Sequence, residues 1–567
     1  MSAERQYSGP ESRSAAGDRS PYLIALVVSI ATFMVVLDTA IANVALRHIA
    51  GSLAISVDES TWVVTTYLIA NAVVLPVSGW LSNVIGRKRF YMICVAVFTI
   101  ASLLCGLASS LTALILFRVL QGLGGGGMPT SEQAMLADTF RPEQRPQAFA
   151  IYGIAVIVAP TVGPTIGGWL TDNYSWHWIF FINVPFGILS LILVQWLVVE
   201  PEVLERERRE RLAGGLKVDW AGFALIALTF GSLEIVLDRG EIDDWFSSPT
   251  IVTCATIAAC SFIFLIPWEL TREDPIVDIR LLFRRQFAMA FIVMLAVGAL
   301  LFGSNQVTPQ LMQTSFPYTA MLSGLAMMPG GLIMLLLMPI AGQIIPRMQP
   351  KYWLAIGLSL IAFGMWISTS LTPDASFSYF ASVRVLQTLG MPFMFIPINS
   401  IAYAELPPQK TNEGSALINV ARNLGGSVGV SLAATELVRR SQFHQARLTE
   451  NLSASSAIYQ STVQHLMQYF GQSGSPASAR GHAIGYIGQL VEGQAALMAY
   501  IDIFFTWSIF AAALVPLALL LIRRVGPSRA GAAVGQPARG LNQDLISRPS
   551  IRLRYDLDQG EPLGRVL

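Results

Sequence analysis

The stretch Arg118-Val119-Leu120-Gln121-Gly122-Leu123-Gly124 returns 266 residues later as Arg384-Val385-Leu386-Gln387-Thr388-Leu389-Gly390. Each copy is followed by Gly-Met-Pro, at Gly127-Met128-Pro129 and Gly390-Met391-Pro392. Both lie in apolar runs long enough to cross a bilayer, where an arginine costs at least about 2.5 kcal/mol on insertion scales. Two such arginines at matching places imply a membrane transporter built from a duplicated unit. The repeat reaches further. Pro76 and Gly79 align with Pro339 and Gly342, and Pro142 and Gly163 with Pro408 and Gly429.

Composition agrees. The 567 residues are 53% hydrophobic and 13% charged, with mean hydropathy +0.55. That charged share is about half the value usual for soluble domains, so the expected class is an all-α polytopic membrane protein. The net charge of +1 argues against nucleic acid as a partner. The four cysteines (Cys94, Cys105, Cys254, Cys260) lie in apolar segments without CxxC spacing, and the five histidines are scattered. Neither disulfide, metal site nor cofactor is expected, and no Walker sequence or catalytic constellation points to an enzyme.

Runs of about twenty apolar residues are needed to cross the hydrocarbon as helix. Fourteen are predicted: 22–46, 61–82, 90–109, 112–136, 147–171, 177–199, 219–238, 250–270, 287–311, 321–341, 353–371, 377–403, 413–436 and 499–522. If both termini are cytoplasmic, the inner segments carry 28 Lys/Arg, the outer segments six, and the spans three (Arg118, Arg384, Arg422). The positive-inside rule therefore places both termini in the cytoplasm. The repeat pairs spans one to six with spans nine to fourteen and leaves spans seven and eight as an insertion.

The expected organisation is a disordered cytoplasmic tail 1–20, a six-helix bundle 21–200, and an inserted pair with linkers 201–286. A second six-helix bundle follows at 287–525, and a disordered tail at 526–567. Between spans thirteen and fourteen, residues 437–498 form a long outer loop in which Val463, Leu466, Met467 and Phe470 stand at helical spacing. Extramembrane helix is expected there.

The residues able to do chemistry are few. Asp38 lies in span one, about 12 Å from its outer end, and Arg118 in span four about 9 Å from its outer end. The depths allow contact if the helices are neighbours. Asp38 then reads as a proton-coupling acid with Arg118 as its regulating partner, or else as the cap of a polar network. Glu132 follows the glycine run of span four. It reads as a cavity or proton-path carboxylate, or as a helix-end carboxylate exposed to the cytoplasm. Glu234 and Asp238, near the outer end of span seven, read as interfacial. Candidates for a substrate cavity are Asn43, Gln121, Arg384, Gln387 and Arg422. Gly124 to Gly127 are no phosphate loop, since no lysine follows. In span five Pro160, Gly163, Pro164, Gly167 and Gly168 read as a hinge or a packing seam.

These residues are similar to those of a known family. Leu37-Asp38-Thr39 with Ile41-Ala42-Asn43-Val44-Ala45-Leu46, Arg118-x-x-Gln121-Gly122, Gly163-Pro164-x-x-Gly167-Gly168 and Trp176-His177-Trp178-Ile179-Phe180-Phe181-Ile182-Asn183-Val184-Pro185 carry the resemblance. The chain resembles the major facilitator superfamily, in particular its fourteen-span drug:proton antiporters of the EmrB/QacA type, over residues 20–525. Gly79 to Arg89 resembles that superfamily's cytoplasmic loop, so Gly79, Asn83, Gly86, Arg87 and Lys88 are candidates for a cytoplasmic gate. Asn83 stands where an aspartate is usual. This leaves the latch looser, or Arg87 held by another group.

The long outer loop and Arg422-Asn423-Leu424-Gly425-Gly426 resemble the EmrB branch. The resemblance implies a proton-coupled exporter of amphipathic compounds in a Gram-negative inner membrane, with a periplasmic adaptor and an outer-membrane channel as partners. Its rivals are a stand-alone exporter of one metabolite or siderophore, and a non-transporting scaffold or receptor that uses the outer loop.

Overall fold

The computed structural model describes residues 20–521 except 142, 201–204, 207, 210–212, 214–217, 405, 408, 409, 451, 453–455 and 471–475. The tails 1–19 and 522–567, the Pro142 and Pro408 pair, and part of the linker before span seven therefore lie outside the described residues. Among the described residues all regular structure is helical.

Thirteen helices among the described residues are long and apolar enough to cross a membrane. Span one is Pro21–Leu53, span two Trp62–Ile85, span three Arg87–Gly106, span four Leu111–Thr139 and span five Arg145–Asn173. Span six is Trp178–Leu197, span seven Trp220–Arg239 and span eight Pro249–Thr271. Span nine is Arg285–Thr314, span ten Met321–Arg347, span eleven Pro350–Ser368, span twelve Phe377–Tyr403 and span fourteen Ser478–Leu520. The remaining predicted span, 413–436, lies in the 40-residue helix Thr411–Glu450. That helix carries Asn412, Glu413, Asn419, Arg422 and Asn423 and is too polar to qualify by hydropathy alone. Neighbouring helices enclose it, and with it the fold has fourteen spans.

Glycines set the closest approaches. In span four, a Cβ at Gly122 or Gly126 would lie 2.5 Å or 2.8 Å from the carbonyl oxygens of Tyr67 and Asn71 in span two. One at Gly124 would meet the Phe98 nitrogen of span three at 2.7 Å. The four-residue spacing of Gly122 and Gly126 puts both on one helix face. The glycine run is thus a two-sided packing surface. Span thirteen does the same against span nine, where a Cβ at Gly425 would sit 1.9 Å from the Leu295 oxygen and one at Gly429 2.5 Å from the Ala299 oxygen. In span five Gly163 meets Ala40, and Gly167 meets Ile41, both in span one. This is the geometry of a packing seam, and the helix runs unbroken through Pro160 and Pro164.

Local structure breaks the repeat in two places. Span four runs unbroken past Pro129, whereas span twelve is two helices, Phe377–Leu389 and Pro392–Tyr403. Pro392 lacks the amide proton that would tie the second piece to the first. Span six is likewise a single turn, Trp178–Phe181, followed by Asn183–Leu197.

The inserted pair is not symmetric in its packing. Span seven lies against spans two and thirteen, with Thr65 donating to Asp238, Ser427 to Glu234 at 2.8 Å, and Arg239 to Thr61 at 2.9 Å. Glu234 is buried and is bonded between helices. Span eight turns Phe262, Ile263 and Phe264 outward.

The stretch 437–498 is largely helical. The helix of span thirteen continues to Glu450, a separate helix covers Ala457–Phe470, and the last helix begins at Pro476. At 46 residues that last helix is about 69 Å long, more than twice the hydrocarbon thickness. Val463, Ala483 and Ile487 form a small core here with Leu466, Met467 and Phe470 around it. Ile487→Asp is expected to release the Ala457–Phe470 helix and leave the spans intact. Limited proteolysis would then cut within 437–498 while the rest of the chain stayed resistant.

Candidate functional site: a carboxylate–guanidinium network and its altered copy

Span one presents Asp38 to span four. Arg118 Nη1 donates to Asp38 Oδ2 at 2.6 Å, and the two side chains are almost wholly buried. Asp38 Oδ1 accepts from Gln121 Nε2 at 2.9 Å and from Asn183 Nδ2 at 2.6 Å. The carboxylate therefore has donors on both oxygens. Arg118 is held in turn: Nε donates to the Val63 carbonyl at 2.8 Å and Nη1 to Gln121 Oε1 at 2.8 Å. Its guanidinium carbon lies 4.4 Å from the Tyr67 ring centroid and 5.5 Å from that of Phe180. Gln121 also donates to Ser102 at 2.8 Å.

Asn183, buried at the start of the Asn183–Leu197 helix of span six, reaches the carboxylate from that helix. Sequence reading quoted Asn183 within a motif without placing it at the site. Ser102 was missed as well, although the 266-residue offset that relates the arginines also relates Ser102 to Ser368.

A second polar layer lies nearer the end rich in arginine and lysine, called here the basic end. Glu132 is fully buried and accepts from Thr32 of span one, so the exposed helix-end reading does not hold. Span four continues seven residues beyond it to Thr139. Arg422 Nη1 donates to the Tyr152 hydroxyl at 2.8 Å. Gln133 Oε1 accepts from Asn419 at 2.9 Å and from Tyr403 at 3.2 Å, so polar bonds cross here between the two bundles. Of the candidate cavity residues, Asn43 stands apart: it is exposed, and its amide returns to the Thr39 carbonyl of its own helix.

At the basic end, Arg87 pairs with Asp138, and its backbone N–H donates to Glu200 at 2.8 Å. Another group therefore holds Arg87, the second of the two possibilities left by Asn83. Asn83 itself accepts from Asn412 and donates to Glu413 at 3.4 Å, both at the start of span thirteen. Gly79 allows this approach, since a Cβ there would lie 3.0 Å from the Asn412 oxygen. Gly86 has φ +101°, a left-handed conformation that glycine adopts without strain. Lys88 donates to the Gln195 carbonyl at 3.0 Å. Asn83→Asp would face Glu413 with a second carboxylate and is expected to weaken this contact. A fall in melting temperature at pH 8 that shrinks at pH 5 would show it; a rise at pH 8 would contradict it.

The second bundle repeats part of the first network. Gln387 Nε2 donates to Ser368 at 3.0 Å, as Gln121 does to Ser102. Arg384, buried like Arg118, donates to Asn305 of span nine. An amide thus stands where the first bundle has the carboxylate.

Two related six-helix bundles with a buried ion pair inside one of them define a secondary transporter built by duplication. The chain belongs to the Major Facilitator Superfamily, whose family profile matches residues 28–430. It is 36% identical over 486 residues to the multidrug export protein EmrB of Haemophilus influenzae, covering 85% of this chain and 92% of that one. To EmrB of Escherichia coli strain K12 it is 35% identical over 483 residues, covering 85% and 91%. The solved structure of the proton:xylose symporter XylE shares the fold, with TM-score 0.52 at 14% identity, covering 85% of this chain and 94% of that chain.

Proposed function

We propose that this protein is a proton-coupled exporter of hydrophobic and amphipathic toxic compounds that works by alternating access. The observation that carries the reading is the buried Asp38–Arg118 pair. An intramembrane carboxylate bound to a cation is stable when charged, and movement of the guanidinium away from it favours proton uptake. The similarity to multidrug export proteins supports the substrate class. The hydrogen bonds that cross between the bundles at the basic end, from Asn412 to Asn83 and from Asn83 to Glu413, fit a closed gate on that side.

In this reading Asp38 takes a proton from the outer side and delivers it inward as the bundles rock. Arg118 is its regulating partner, and Glu132 is the next carboxylate on the path. Asn43, Gln387 and Arg422 border the substrate route. The seam of Gly163, Gly167 and Gly168 lets span five slide against spans one and ten. Spans one to six and nine to fourteen act as the two moving bodies, and spans seven and eight ride between them. The excess of Lys/Arg on one side supports a cytoplasmic position for that side and both termini, and the similarity to EmrB proteins supports an inner membrane. The helices of 437–498 would then stand in the periplasm, where a membrane fusion protein linked to an outer-membrane channel would dock.

The test is drug-driven proton movement in proteoliposomes. Addition of an amphipathic substrate is expected to release protons from vesicles containing the wild type and not from empty ones. Silence across a chemically broad panel, with folded protein verified, would defeat the reading.

A further inference from the structure

The two bundles differ in how their arginines are neutralised. Arg118 has three acceptors, one of them a carboxylate, and two aromatic rings beside it. Arg384 is 1% exposed and has one acceptor among the described residues, the neutral Asn305. Its Nε and Nη1 have no hydrogen-bond partner there, and the Asn305 amide nitrogen has none either. Neither Asp nor Glu forms an ion pair with Arg384 among the described residues. Its aliphatic stem lies over Gly330 of span ten, where a Cβ would come within 2.9 Å of Cγ. Burying a guanidinium without a counter-charge is costly, and the planar fork matches a carboxylate's two oxygens.

We propose that Arg384 and Asn305 form an anion site in the second bundle that takes the carboxylate of an amphipathic substrate. This deepens the export reading above by naming a substrate class, and it rests on that reading for the word substrate. Asn305 as a residue is partly exposed, while its amide nitrogen and the Arg384 Nε and Nη1 are buried, so a ligand would reach the donors past the Asn305 side chain. The free N–H groups of Arg384 and of the Asn305 amide would all donate to the incoming oxygens. In the first bundle Asp38 already fills that role, and among the described residues Arg118 keeps one unpartnered nitrogen, Nη2, against two on Arg384.

The test compares decanoate with decyltrimethylammonium, two amphiphiles of equal chain and opposite charge. Binding is measured to the full-length protein in nanodiscs at pH 8, without any proton gradient. Wild type is expected to prefer decanoate. Asn305→Asp supplies Arg384 with its own carboxylate and should weaken decanoate binding by roughly 10- to 100-fold, the scale of a charged hydrogen bond. Arg384→Gln should do the same, and neither change should weaken the cation. Asn305→Asp serves as the variant that keeps the buried charges balanced should Arg384→Gln fold poorly.

Equal decanoate affinity in wild type and folded Asn305→Asp would overturn the site. Displacement by chloride or acetate as readily as by decanoate would overturn it too, in favour of a small inorganic anion. Because binding is read without transport, a wild type that prefers decanoate but moves no protons keeps the site and defeats the export reading. A transporting wild type whose binding ignores both substitutions does the reverse.

Discussion

Asp38→Asn is expected to abolish drug-driven proton release while leaving substrate binding in place. The amide keeps the shape of the carboxylate, and its one oxygen can still accept from Arg118, which donates to Oδ2 in the native protein, or from Gln121 and Asn183, which donate to Oδ1. What it loses is the ability to carry a proton. Exchange should fall by roughly 100-fold or more, the scale on which loss of a positioned proton-transfer group acts. Substrate affinity, read by tryptophan quenching in the absence of a gradient, should change little. Undiminished proton release would move the coupling away from Asp38, with Glu132 next to be tested. Loss of binding together with release would make Asp38 a packing residue.

Arg118→Leu should have the larger effect on the fold. It leaves Asp38 buried beside Gln121 and Asn183 with no cation, and it strips the Val63 carbonyl of its donor. Removing one partner of a buried pair costs about 3–5 kcal/mol, because the remaining charge is uncompensated. The melting temperature should drop sharply. Combining the change with Asp38→Asn removes that charge and should restore part of the loss, although each substitution alone is damaging. Strict additivity of the two losses in a double-mutant cycle would show that the residues do not act as a pair.

Much of this was legible beforehand for identifiable reasons. Hydropathy marks thirteen of the helices because lipid imposes the same demand on each of them. The Asp38–Arg118 contact followed from two charges at matching depth in a medium that penalises either one alone. The helix Ala457–Phe470 was visible in the spacing of Val463, Leu466, Met467 and Phe470, which a small core now uses.

Other features depend on neighbours. Glu132 looked equally suited to a solvent-exposed helix end, and only the position of span one and Thr32 buries it. Asn83 did not reveal that Asp138 would hold Arg87. Nor did Glu234 reveal that span thirteen would bring Ser427 against it.

By itself, the sequence determined the membrane class, the duplication and the places where charge enters the bilayer. These are properties of single segments, set by transfer from water to hydrocarbon and by the repeat. The tertiary structure alone decided which polar groups share a partner. Asn183 of span six joins Asp38, and Asn305 leaves Arg384 without the counter-charge that Arg118 enjoys. Hydrogen bonds are short and directional, so their pairing depends on helix rotation and side-chain reach, neither of which a linear pattern records.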